Sequence, residues 1–176
     1  MITTLIKLSN YFEDSRFSFA AHDIGDWLLS IQSNLGFWHG GLHSNIQQIE
    51  TSPSIFNTGQ IIKAMMALYR HTEDNKYLYA ANNAANWLVS EMRSDGLWPS
   101  GDYRASETPS YSTHVAWPIL EVWKETQNFE QKKAAETFLN TILERKLKNG
   151  VISEISISNL DSIFCPTYPN LGIRVV

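Results

Sequence analysis

The sequence predicts an all-α protein built of repeated helical hairpins, and three observations carry that prediction. Apolar residues recur at the spacing of one helix face, as in Ala81, Ala84, Ala85, Leu88, Val89 and Met92. The chain also repeats itself. WLLSIQSNLGFW, Trp27 to Trp38, matches WLVSEMRSDGLW, Trp87 to Trp98, at an offset of 60, and self-similarity at such a period marks stacked supersecondary units. Finally, no alternating run is long enough to compete as a sheet. Val151 to Ile157 reads only as a short extended segment.

Taken in order, helices are expected at 3–12, 17–32, 56–73, 76–93, 113–126 and 130–147. The helix before Trp38 carries the stripe Ala21, Ile24, Trp27, Leu28 and Ile31. The block starting at Pro53 matches the one starting at Pro109: Phe56 meets Tyr111, Asn57 meets Ser112, Thr58 meets Thr113, and Leu68 meets Trp123. Its stripe is Ile61, Ala64, Met65 and Leu68. Ser54 and Asn57 are candidate N-caps. Gly36 and Gly96 suit left-handed helix exits. Pro118 is expected to kink its helix or push its start downstream. A third, degraded copy runs from Ile142 to Ile152, with Gly150 in the glycine position. One domain, 1–176, thus divides into repeats of about 16–75, 76–128 and 129–176.

Composition narrows the function classes. A net charge of −4 and a pI near 5.7 argue against nucleic-acid binding. No apolar run approaches the ~20 residues of a membrane span, and the N-terminus lacks signal-peptide character. The single cysteine, Cys165, makes no internal disulfide or zinc site. Cytoplasmic placement is expected, with no metal and no cofactor.

The spacing Leu28-x3-Gln32-x3-Gly36-x-Trp38 resembles the QW repeat of α/α-toroid proteins, the terpenoid cyclases and prenyltransferase β-subunits. The helix-loop pattern also resembles six-hairpin carbohydrate-active proteins. PSIFNTGQ, DGLW and YSTHVAW are similar to uncharacterised toroid proteins of bacterial polysaccharide gene clusters. The resemblance covers residues 16–152. The chain departs from the first two groups: it has no Asp-rich acid motif and no Asp, Cys and His set for zinc. A closed toroid takes about six hairpins, so the resemblance implies an incomplete, half ring. Its bare ends imply self-association, or a truncated relative of a longer toroid protein.

In such toroids the interhelical loops gather at the mouth of a central cavity. Three segments would meet there: Trp38 to His43, Phe56 to Gln60, and Ser100 to Tyr103 with Tyr111 to His114. A histidine side chain titrates closest to neutrality, which makes His114 the acid/base candidate, with Asp102 as partner or independent base. Backbone amides at the Asn57 helix start suit an anion. Toroid polysaccharide lyases use Asn, His and Tyr to neutralise a uronic acid carboxylate and take the neighbouring proton. By residue type and location, that resemblance assigns catalysis to His114, Asp102, Tyr111 and Asn57. It assigns substrate binding to Trp38, His39, His43, Phe56, Trp98 and Tyr103. The repeat explains Trp38 and Trp98 first of all as packing residues. A hydrolase would need a second carboxylate beside Asp102, from Glu107 or Glu50. The expected function is a lyase, hydrolase or epimerase on an acidic poly- or oligosaccharide. The alternative is a non-catalytic binding or interaction module.

Overall fold

The computed structural model describes residues 1–40, 53–99, 112–145 and 148. These residues hold six helices: α1 (Ile2–Phe12), α2 (Ser15–Ser30), α3 (Ile55–Thr72), α4 (Asn75–Ser90), α5 (Thr113–Thr126) and α6 (Phe129–Glu144). The expected extended segment at Val151 to Ile157 lies outside the described residues.

The tight connections join α1 to α2, α3 to α4 and α5 to α6, and all three are built alike. A residue in the left-handed region ends the first helix: Glu13, Glu73 or Gln127, at φ 53°, 58° and 56°. The next residue caps the second helix. Asp14, Asp74 and Asn128 accept the backbone N–H of Arg16, Lys76 and Glu130 through their side chains. Two findings follow. The short-turn hairpin pairs the later helix of one sequence copy with the first helix of the next. And α1, which sequence comparison left outside the repeat, opens the first hairpin.

Successive hairpins stack. α3 packs on both α1 and α5, while α4 touches both α2 and α6. Ile62, Met65, Leu68, Leu88, Ile119, Val122 and Phe138 fill the core between them. α3 and α5 run the same way, because their contacts climb together: Gly59 meets Val115, Lys63 meets Trp117, and Arg70 meets Glu121. At the first of these, a Cβ on Gly59 would lie 2.9 Å from the Val115 Cα, so glycine sets the closeness of the two helices.

The tryptophan turns explain the repeat. After α2, Ser33 donates to the Phe37 carbonyl and Gly36 to the Ser33 carbonyl. After α4, Arg93 donates to the Leu97 carbonyl and Gly96 to the Arg93 carbonyl. Gly36 and Gly96 have φ 101° and 78°. Each turn brings its tryptophan back over the helix it left. The Trp38 indole N–H donates to the Leu28 carbonyl at 2.8 Å, and that of Trp98 to the Leu88 carbonyl at 2.7 Å. These carbonyls sit near helix ends that lack intrahelical donors. Gln32 works in the same way, donating to the carbonyls of Gly36 and of Ala80 on α4.

A second repeated contact ties the α2, α4 and α6 layer together. The Tyr77 hydroxyl donates to Asp26 Oδ1 at 2.9 Å, and Gln131 Nε2 donates to Asn86 Oδ1 at 2.8 Å. Tyr77 and Gln131 are each the third residue of their helix, and Asp26 and Asn86 are 60 residues apart. Lys76, with the Tyr77 hydroxyl behind it, holds the Asp26 carboxyl below its ordinary value.

Pro118 does not push the helix start downstream. α5 starts at Thr113, upstream of the proline, and continues through it. Proline lacks an N–H and so deprives the His114 carbonyl of its helical donor. Gln60 of α3 supplies a donor instead, at 3.4 Å. One correction concerns capping. Ser54, not Asn57, caps α3; it accepts the Asn57 backbone N–H, and Asn57 lies inside the helix. Among the described residues no helix is long and apolar enough to cross a membrane.

Candidate functional site

The start of α3 and the chain after Trp38 are pinned together. The Trp38 N–H donates to the Thr58 hydroxyl at 3.0 Å, and the Ser54 N–H donates to the Trp38 carbonyl at 3.1 Å. His39 bridges to Pro53 in antiparallel fashion. This fixes the His39 carbonyl where Asn57 Nδ2 donates to it, at 3.4 Å. Asn57 and Gln60 lie one turn apart on α3, so their side-chain amides point to one side. Gln60 reaches the first turn of α5, where His114 is exposed.

Beside these groups opens a cleft of about 350 Å³, bordered by Trp27, Ile31, His39, Asn57, Gln60 and Ile61. Its polar groups are two amides and an imidazole, and its apolar wall is an exposed indole, Trp27. Among the described residues no carboxylate borders it. Such a wall suits hydroxyl-rich ligands with one apolar face.

The structure thus brings Asn57, His39 and the His114 turn together. Phe56 is half-buried and packs against the core. Trp38 and Trp98 are 1% and 0% exposed, their indole N–H groups spent on helix carbonyls. Packing covers both rings, and Trp38 also borders the cleft. The Trp98 ring lies 4.6 Å from Phe138. At the expected anion site at the start of α3, the Ser54 hydroxyl takes the Asn57 amide. Asp102, Tyr103, Tyr111 and His43 lie outside the described residues, as do Glu50 and Glu107. Among the described residues no group of His, Cys, Asp and Glu side chains could hold a metal ion.

Sequence reasoning missed Trp27, because the repeat equates it with core-facing Trp87. It also missed a groove between α3 and α5. There Glu121 receives Lys124, at 2.9 Å, and Arg70. Lys124, with Arg70 and the Trp117 indole contributing, holds the Glu121 carboxyl below its ordinary value against the effect of burial. Lys63 Nζ stands 5.4 Å from the Trp117 ring centre. Finding this cluster needs the neighbour relation of two helices, and no motif signals it.

No protein-family model matches the chain, and no curated protein matches it. Two solved structures do. One is a family 10 polysaccharide lyase from Cellvibrio cellulosa, at a TM-score of 0.57 and 22% identity, covering 82% of this chain and 52% of the other. The second is a mutant of a family 10 polysaccharide lyase from the same organism in complex with trigalacturonic acid, at a TM-score of 0.54 and 22% identity, covering 85% and 54%. The chain therefore spans about half the length of the structures it matches, and at this identity the likeness concerns the fold alone.

Proposed function

We propose that this chain is a saccharide-acting or saccharide-binding protein of the α/α-toroid type, contributing about half a ring, and that its ligand is an acidic oligosaccharide. The observation that carries the reading is the cleft where Asn57, Gln60 and His39 meet beside the His114 turn and the exposed Trp27. The trigalacturonic acid bound to one matched structure supports the choice of ligand class. Support for an arc comes from the layers: α1, α3 and α5 meet one another more extensively than α2, α4 and α6 do.

In the lyase form, Asn57 donates to the uronate carboxylate and His114 takes the proton on the adjacent carbon. The pair of the broken carbon–hydrogen bond forms a carbon–carbon double bond, and the carbon–oxygen bond to the leaving sugar breaks with its own pair going to the oxygen. Tyr111 gives that oxygen a proton, and Asp102 partners His114. The alternative form is a non-catalytic binding module. Self-association through the ends of the array belongs to the same proposal. Phe19 on α2 and Phe129 on α6, each 66% exposed, support it.

Incubation with trigalacturonate tests the reading. A lyase yields an unsaturated product visible by ultraviolet absorbance, and His114→Ala lowers its rate by about a hundredfold or more with helicity unchanged. Turnover equal to wild type in that variant removes His114 from the mechanism. Binding without product selects the non-catalytic form.

A further inference from the structure

We propose that the groove between α3 and α5 is an acidic-sugar subsite, in which Trp117 stacks on the ring and Lys63 and Arg70 hold the carboxylate. This rests on the saccharide reading above and places the charge recognition away from the cleft that carries it. Among the described residues the lining of the cleft at Asn57 includes no lysine or arginine to meet a uronate. The groove supplies what it lacks.

The argument starts from helix geometry. Gln60, Lys63, Ala67 and Arg70 fall on one stripe of α3, and His114, Trp117 and Glu121 on one stripe of α5. Because the helices run parallel and touch at 60 with 114, 63 with 117 and 70 with 121, the two stripes face the same groove. It extends over ten residues of α3, or ~15 Å at the helical rise. His114 therefore stands at one end, one turn from Trp117.

Trp117 is 56% exposed although the core of the same helix is full. An exposed indole on a well-packed helix needs a reason, and a flat apolar face suits the apolar face of a sugar. A pit of about 120 Å³ lies beside it, lined by Thr3, Lys63, Met66, Arg70, Trp117 and Glu121. Glu121 braces the indole and Arg70. Lys63 pairs with the ring and, among the described residues, with no carboxylate. Counting Lys63, Arg70 and Lys124 against Glu121, the cluster keeps an excess of positive charge in a chain whose net charge is −4. A cation held over an aromatic ring, with a second cation beyond it, recognises an anion joined to a flat ring.

Titration of trigalacturonate into the full chain by calorimetry tests the subsite, with its methyl ester and triglutamate as comparison ligands. Trp117→Ala is expected to weaken trigalacturonate at least tenfold. Lys63→Gln is expected to weaken it about fivefold while leaving the methyl ester unchanged. Both substitutions lie on the surface, and circular dichroism verifies the fold. Wild-type affinity in both variants overturns the subsite and leaves the saccharide reading standing. Triglutamate binding as tightly as trigalacturonate reduces the groove to a cationic patch and also overturns it. No binding of trigalacturonate to the wild-type chain overturns both.

Discussion

Trp27 and Trp87 hold the same place in two copies of one motif, yet Trp27 is 59% exposed and Trp87 8%. The helices that carry them begin and end alike, each capped by an aspartate and followed by the same glycine turn. What differs is the neighbour. Trp87 rests on Phe37, at 5.1 Å between ring centres, and Phe37 belongs to the turn that follows α2. Among the described residues no such turn stands against Trp27. Burial at this motif position is therefore conferred by a neighbouring turn and not by the motif itself.

The largest expected break in the comparison is to truncate both rings. Trp87→Ala should cost ~3–5 kcal/mol, as a deep core truncation does. Trp27→Ala should stay within about 0.5 kcal/mol. Urea unfolding of the two variants measures the gap, and equal losses would mean that Trp27 is covered by something the contacts above omit.

The glycine turns sharpen the comparison at the next level. A Cβ on Gly36 would fall 2.5 Å from the Asn83 backbone oxygen, whereas one on Gly96 would meet the Thr137 methyl at 2.7 Å. Both positions also carry a positive φ. Gly36→Ala is expected to lose about 3 kcal/mol and Gly96→Ala about 1 kcal/mol, because a threonine side chain can rotate away and a helix backbone cannot. Melting temperatures that fall equally would contradict this order.

The smallest effect separates the two layer contacts by pH. The Asp26 carboxyl is held below its ordinary value by Lys76 and Tyr77. Its contribution is thus complete above the ordinary aspartate range and is lost as pH falls through the lowered folded value. Gln131 and Asn86 carry no charge. Tyr77→Phe should therefore flatten the acid limb of stability slightly, and Gln131→Leu should leave its slope unchanged. Parallel curves of unfolding free energy against pH would refute the distinction.

Much of the fold was legible because repetition and periodicity are properties of sequence. The two tryptophan turns, the glycines and the six helices follow from spacing alone. The place of α1 is faint in the sequence, since its likeness to α3 at the offset of 60 rests on Ile2 with Ile62, Leu8 with Leu68 and Glu13-Asp14 with Glu73-Asp74. Tyr77 with Asp26 and Gln131 with Asn86 share a position but not a chemistry, so comparison of residues passes over them. The candidate site was read by residue type. Asn57, His39 and the His114 turn stand near one another. Trp38 and Trp98 are buried, and an indole that satisfies a helix carbonyl and one that meets a ligand look alike in sequence. Trp117 escaped notice for the reverse reason: it lies within a helical stripe, and only the placement of α3 shows that it faces a groove.

The three hairpin bends bear on how this protein could be engineered. Glu13, Glu73 and Gln127 each adopt a left-handed backbone that a side chain disfavours by ~1 kcal/mol or more. At Glu13 and Glu73 the residue that follows provides the cap, whereas Gln127 also donates through Nε2 to the Lys124 carbonyl at 2.9 Å. The first two bends thus carry a removable handicap. Glycine at Glu13 and Glu73 is a route to a more heat-resistant scaffold that leaves the cleft and the groove untouched.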